Sequence, residues 1–520
     1  MRLPRRPRES RRNELESVSL NRWHQRRTSR IEAPERRRAV GSDRRAVRLA
    51  AIALATGLAA TLAITLSACT ETSSDAPPAD HPPNVLLITL DTTRADRLGC
   101  YGYAGGTSPN IDALAADAVR FETAIATAAV TPISHASILT GLYPHRHGLR
   151  VFYGPVGHSL TDDHPTLATI LASRGWHTGA FVSAYPAAER FGLDQGFDVY
   201  ETGIAASVMK RIPRKRPPRE VQWARRRTAT AQRRADATTD EALTWLEQAR
   251  RPFFAWVHYF DPHDPSLIPP VEVTDRFAFS QRAPNRRLAI YDPEVFFMDA
   301  NVGRLLEWLE TSGEYDDSII VVVSDHGQGM GDHGWKQHRL LYQEQIRTPL
   351  IIRTPEGPRG RVVDTLASGV DLVPTILTAA GVAVPDATDG GDLLAALDAE
   401  DRGQRVVLAE ALNTLDDWAP RSLPEHQKDL LFCAMDRRWK LIYHRDHPEN
   451  SELYDLLNDP RESTNVITRH PGEKERLLRR LSGSGAMTID TVEADAPEAE
   501  ESIRMLESLG YIHGNTENPD

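Results

Sequence analysis

Several residues of this 520-residue chain combine a reactive side chain with a telling position. Asp91 closes the apolar run Asn84-Val85-Leu86-Leu87-Ile88-Thr89-Leu90, and Asp325-His326-Gly327 follows the β-branched run Ile319-Ile320-Val321-Val322-Val323-Ser324. A carboxylate at the C-terminal end of a buried parallel strand lies where open α/β sheets bind ligands. Asp-His at a strand end is a compact oxygen–nitrogen chelate for a divalent ion. The stretch Val130-Thr131-Pro132-Ile133-Ser134-His135 predicts a helix entrance, because Pro favours the first helical position. Thr140-Gly141 ends that helix, with Pro144 just beyond. A hydroxyl at a helix N-terminus sits in a positive field that favours anionic substrates and an ionised oxygen. A further buried strand, Phe253-Phe254-Ala255-Trp256-Val257, delivers His258-Tyr259-Phe260-Asp261-Pro262-His263. Each of these has a plain structural reading when taken alone: a capped helix, a turn after a strand, a core histidine.

The motifs occur together and in order, and they resemble the sulfatase branch of the alkaline-phosphatase superfamily from residue 84 to about 470. Residues 91–102 resemble its first metal-binding motif, with Thr92 where many members carry a second Asp. Residues 131–141 resemble the signature helix, in which a Cys or Ser becomes formylglycine. Aligned through Thr140-Gly141, Thr131 holds that nucleophile position. Ser134 matches the Ser, His135 replaces an Arg and Ile133 a Pro. His263 falls at an active-site position, Asp325-His326 in the second metal motif, and His338 where sulfatases keep a catalytic Lys. Glu452-Leu453-Tyr454-Asp455 resembles the C-terminal motif. The Gly-Lys-Trp-His segment that grips sulfate is absent; the chain reads Ala180-Phe181-Val182-Ser183-Ala184-Tyr185 there. The resemblance implies an α/β fold with a large, mostly parallel sheet between helices and a small C-terminal antiparallel-sheet subdomain. It also implies one divalent ion (Ca, Mn, Mg or Zn) bound by Asp91, Thr131, Asp325 and His326.

The elements that position these groups occupy the middle of the chain. Residues 1–48 are Arg-rich and without periodicity, as in a disordered N-terminus. Residues 49–67 are uncharged and apolar and end in Leu66-Ser67-Ala68-Cys69. They read as a transmembrane anchor of borderline length, or better as a lipoprotein signal peptide over 49–69 with Cys69 acylated. This implies an exported, membrane-anchored protein of a bacterial cell envelope. Residues 70–83 form a tether, 84–400 the catalytic domain, 401–482 the C-terminal subdomain and 483–520 an acidic tail. Residues 210–234 are a basic, Pro-containing insertion, either solvated or facing an acidic substrate or headgroups. The net charge is −10, and the first 48 residues hold 16 of the 62 basic side chains. The remainder is therefore strongly acidic, which excludes a general nucleic-acid binder. The three cysteines show no metal-ligand spacing such as Cys-x-x-Cys. The pairing of Cys100 with Cys433 stays open, as does the oligomeric state.

Under the resemblance, a metal bound to Asp91, Asp325 and His326 would lower the pKa of the Thr131 oxygen and generate a nucleophile. His135, His263 and His338 would donate to the remaining substrate oxygens and the leaving group. The substrate is an anionic sulfo- or phospho-ester. A formylglycine hydrate expels sulfate by elimination through its second hydroxyl, which Thr131 lacks. A phosphoryl ester on Thr can instead be hydrolysed by in-line attack. The expectation is therefore phosphodiester or phosphonate ester hydrolysis. The alternatives are a true sulfatase acting through Thr131, a transferase of phosphoryl-linked headgroups, and an inactive glycan-binding lipoprotein.

Overall fold

Runs of β-branched and aromatic residues favour strands, and uninterrupted apolar runs favour strands buried on both faces. The chain follows both rules. Its computed structural model describes residues 81–154, 156–203, 232–280, 285–398, 405–417, 419–420 and 422–489. The signal segment, Cys69, residues 210–231 of the basic insertion and the acidic tail lie outside the described residues. Within them, no helix is long and apolar enough to cross a membrane.

Eight strands form the main sheet: β1 (Asn84–Leu90), β2 (Val119–Ile125), β3 (His177–Val182), β4 (Val199–Glu201), β5 (Phe253–Tyr259), β6 (Ser318–Val323), β7 (Arg347–Arg353) and β8 (Arg361–Ser368). They lie in the order β4-β3-β5-β1-β6-β7-β2-β8. Only β7 runs antiparallel to its neighbours. The centre, β5-β1-β6, is parallel, so three strands end on the same edge. A second sheet of β9 (Val407–Leu412), β10 (Leu430–Met435), β11 (Trp439–His444) and β12 (Glu452–Asp455) is antiparallel throughout. This is the mostly parallel sheet with a small antiparallel companion that the resemblance implies.

The period of two along a strand divides the core in two. Val85 and Leu87 of β1, Phe254 and Trp256 of β5, and Ile319 and Val321 of β6 pack against Ile133, Ala136 and Leu139 of helix Thr131–Thr140. Leu86 and Ile88, Ala255 and Val257, and Ile320 and Val322 face the long helix Arg286–Ser312 through Val295, Met298, Val302 and Leu306. Each such side chain contributes roughly 1.5–3 kcal/mol by leaving water. Odd-numbered positions of β1 therefore share a face with the Thr131 helix, and Asp91 continues that series.

Two elements differ from the sequence reading. The sequence pattern alone predicts one helix over residues 108–121; the structure has a helix only at Pro109–Ala115, and Val119–Ile125 is a strand between β7 and β8. Pairing with partners hundreds of residues away overrides local pattern there. Helix Pro471–Ser484 covers the outer face of the second sheet through Leu477 and Leu481. The loop behind the Thr131 helix is fastened to this part of the chain. Buried Arg150 donates to both Glu410 oxygens at 2.8 Å, to Ala486 O at 2.7 Å and to Thr488 O at 2.6 Å. Cys100 and Cys433 are both free thiols, so they do not pair.

Candidate active site and metal centre

Helix Thr131–Thr140 begins one residue before Pro132, with Val130 extended as its cap (φ −147°) and Gly141 closing it in the left-handed region (φ 71°). The Ser134 hydroxyl donates to Asp325 O at 2.6 Å, which ties the first turn to the segment after β6. The Thr131 side chain is thereby set against Asp91. Its Oγ1 donates to Asp91 Oδ2 at 3.2 Å and lies 3.3 Å from His326 Nε2. All three side chains are fully buried.

Hydrogen bonds leave particular atoms of this cluster for a cation. Asp325 Oδ1 accepts the backbone N–H groups of Thr92 at 3.2 Å and His326 at 2.7 Å. To offer its N–H, Thr92 adopts a left-handed backbone (φ 50°), a strain of roughly 1–2 kcal/mol for a non-glycine residue. His326 Nδ1 donates to Gly327 O at 3.0 Å, so Nε2 keeps its lone pair. Asp91 Oδ1 and Asp325 Oδ2 are buried and have no hydrogen-bond partner. Ligand atoms of Asp91, Asp325 and His326 all lie within 4.8 Å of one another. Burial raises both carboxyl pKa values well above the ordinary carboxylate range, and the charge of Asp91 raises Asp325 further. Burial likewise lowers His326, against the pull of Asp325. Two orphaned carboxylate oxygens and a free imidazole lone pair are a hard/borderline donor set that fits a divalent ion.

His263 and His338 reach the same cluster from different elements. The turn Asp261–His263 follows β5, and the His263 ring stacks on Phe260 with centroids 4.2 Å apart. His338 Nδ1 donates to Ala129 O at 2.8 Å, just ahead of the nucleophile helix. The two Nε2 atoms are 3.3 Å apart. The His338 ring also lies 4.7 Å from that of His326. Burial pushes both pKa values well below the ordinary value, so both rings are neutral hydrogen-bonding groups at neutral pH.

His135 is placed differently from the expectation of a donor to substrate. Trp256 Nε1 donates to Thr89 Oγ1 at 2.9 Å, which leaves the Thr89 hydroxyl to donate to His135 Nε2 at 3.1 Å. His135 Nδ1 then donates to Thr131 O at 2.8 Å. Both nitrogens are used inside the protein, and the ring, neutral because of burial, braces the first helical turn.

His258 was not singled out as a site residue by sequence reasoning. Its Nε2 lies 3.2 Å from Asp91 Oδ2. The signal was present in the parity of β5: His258 pairs with Thr89 of β1, so it faces the same side as Asp91. His333, which the sequence leaves without a role, forms a separate cluster with Glu344 and Glu462. Its Nδ1 is 3.1 Å from Glu344 Oε1, and its ring stacks on Tyr342 at 3.8 Å. Glu462 accepts from Gln343 N at 2.6 Å and lies 2.6 Å from Lys440 Nζ.

The sulfatase family matches residues 83–382, and the family described as N-sulphoglucosamine sulphohydrolase, C-terminal, matches residues 331–482. An N-acetylglucosamine-6-O-sulfatase of Bacteroides thetaiotaomicron is 25% identical over 499 residues, spanning 77% of this chain and 85% of its own. A solved structure of a protein in complex with its substrate, D-glucosamine-2-N,6-O-disulfate, has a TM-score of 0.62 at 22% identity, covering 78% of this chain and 98% of that one. A phosphonate monoester hydrolase of Agrobacterium radiobacter has a TM-score of 0.59 at 23% identity, covering 79% and 97%. Fold and site together define an ester hydrolase of the alkaline-phosphatase superfamily, a class whose sulfatase members use a divalent metal. Within that class, this chain belongs to the sulfatase family.

Proposed function

We propose that this chain is a metal-dependent hydrolase of phosphodiesters or phosphonate monoesters with Thr131 as the nucleophile. The observation that carries the reading is the position of the Thr131 hydroxyl, at a helix N-terminus and between Asp91 Oδ2 and His326 Nε2. Asp91, Asp325 and His326 would hold the ion, which supplies charge neutralisation and a lowered pKa for a bound oxygen. Asp91 Oδ2 accepts the Thr131 proton. Thr131 Oγ1 forms the bond to phosphorus as the bond to the departing alkoxide breaks, and the proton ends on the departing alcohol. His263 Nε2–H donates a hydrogen bond to the leaving oxygen, and the His338 ring, whose proton lies on Nδ1 toward Ala129 O, orients it with its Nε2 lone pair. Water then attacks phosphorus in line, releases the monoester or phosphonate and restores the hydroxyl. A sulfate ester on Thr131 has no second hydroxyl through which to eliminate, so phosphorus substrates rank above sulfates.

Sulfate-ester hydrolysis through the same Thr131 is the second reading, supported by a sulfatase among the relatives and a sulfated sugar in a structural neighbour. The ratio of kcat/KM for matched p-nitrophenyl phosphodiester and sulfate separates the two. A ratio favouring the phosphodiester, with Thr131→Ala slowed by about a thousandfold or more, supports the first. A ratio favouring sulfate, with Thr131→Ala equally inactive, overturns it. The protein is exported as a lipoprotein through Cys69, anchored in a bacterial cell envelope, with catalysis in residues 84–400. Detergent partitioning of the wild type, lost in an unprocessed Cys69→Ala, checks the anchor.

A further inference from the structure

Asp91 divides its two oxygens between two tasks. Oδ1 is buried and has no hydrogen-bond partner, whereas Oδ2 is met by the Thr131 hydroxyl and the His258 ring, each at 3.2 Å. A lone carboxylate at a strand end can rotate about its terminal torsion and exchange its oxygens. Something must hold it. Thr131 cannot do so alone, because its own oxygen is needed for the reaction.

The bonds to His258 fix which nitrogen carries the proton. The backbone N–H of Ser183 donates to His258 Nδ1 at 3.3 Å, so Nδ1 is an acceptor and the neutral ring carries its proton on Nε2. Nε2–H therefore points at Asp91 Oδ2 as a donor. The ring cannot swing away. Its strand is paired on both sides, with Thr89↔His258 on β1 and Val182↔His258 on β3. His135 lies edge-on to it with centroids 5.0 Å apart, and the Ser183 hydroxyl donates to His258 O at 2.7 Å. His258 itself is fully buried.

We propose that His258 is a positioning residue that acts through Asp91. Its Nε2–H clamps Oδ2, which turns Oδ1 toward the cation and holds Oδ2 where the Thr131 hydroxyl can donate to it. One clamped carboxylate then does what a freely rotating one cannot, at a site where Thr92 supplies no second carboxylate. The inference rests on the reading of Asp91, Asp325 and His326 as a metal site. Outer partners of metal ligands are worth about 10–100-fold in metal affinity.

The test is calorimetric titration of the full chain, stripped of metal, with Mn²⁺. His258→Leu removes the donor, and His258→Gln keeps an amide N–H near the place of Nε2. His258→Leu is expected to bind Mn²⁺ about 10–100-fold more weakly than wild type, with His258→Gln recovering most of the loss. The variants are expected to show the same order in kcat for the phosphodiester, with KM little changed. Mn²⁺ affinities equal in wild type and His258→Leu overturn the proposal. Should His258→Leu not fold, His258→Asn, whose amide falls near Nδ1 instead, takes its place. Equal affinity in His258→Asn and His258→Gln then overturns the proposal. A wild type that takes up no Mn²⁺ overturns the metal-site reading and the proposal with it, a result distinct from equal affinities.

Discussion

Two clusters of histidine and carboxylate each draw two residues from the segment that follows β6, Asp325-His326 in one and His333 with Glu344 in the other, and they differ in what their oxygens meet. Asp91, Asp325 and His326 are fully buried, and two of their carboxylate oxygens have no hydrogen-bond partner. His333, Glu344 and Glu462 offer ligand atoms equally close together, yet their charges meet protein groups. Glu344 takes His333 Nδ1, Lys440 sits on one oxygen of Glu462, and the Gln343 N–H donates to the other. Proximity of ligand atoms is thus a poor guide. The first cluster leaves two carboxylate oxygens open to a cation, whereas the second ties the segment after β6 to the smaller sheet and the loop beyond it. Its Lys440 is fully buried and would repel an ion.

Substitutions should expose this difference, and the largest effect belongs to the first cluster. Asp325→Asn is expected to lower kcat/KM by about a thousandfold or more, on the order of 4 kcal/mol of transition-state stabilisation, with loss of Mn²⁺ binding in calorimetry. Glu344→Gln should leave both nearly unchanged; an equal loss there would erase the distinction. Next in size, Lys440→Met removes the partner of buried Glu462 and is expected to cost about 3 kcal/mol in urea unfolding, with Mn²⁺ affinity retained. The smallest effect concerns His333. Burial opposes its charge, but Glu344 beside it prevails and raises its pKa above the ordinary 6.5. A raised folded pKa stabilises below the unfolded value, and that contribution fades as pH rises through the folded one. His333→Gln should therefore lower the unfolding midpoint at pH 6 by an amount worth up to about 1 kcal/mol, and hardly at all at pH 9. A deficit independent of pH would mean that stacking on Tyr342, not charge, is what His333 contributes.

The first cluster was legible in the sequence because its residues end apolar runs. β1, β5 and β6 announce themselves, and Asp91, His263 and Asp325-His326 follow directly. Thr131 was legible through Pro132 and Gly141. His258 was harder, since a histidine inside a buried strand differs from a core histidine only through its cross-strand neighbour. His135 illustrates the converse. Its position after Thr131 suggests a donor to substrate, and only the chain from Trp256 through Thr89 shows both nitrogens already used. In the second cluster the sequence brought Glu344 near His333, but nothing local ties either to Lys440 or Glu462 about a hundred residues on. β2 was hidden for the same reason, since its partners are β7 and β8. Helix Pro471–Ser484 buries only Leu477 and Leu481, too few for a clear period.

The Arg150 clasp sets an order in time. Residues 131–150 leave the ribosome long before their last fastening, because Thr488 lies 338 residues further on. At roughly 5–20 residues per second this interval is on the order of half a minute. Glu410 comes 260 residues after Arg150, and until then the guanidinium has none of these three partners to hold; the Ala486 and Thr488 carbonyls come last. Maturation of the hydrolase is thereby coupled to the synthesis of residues as late as Thr488, and a fragment ending between residues 326 and 410 lacks the clasp even though it already carries Asp91, Asp325 and His326.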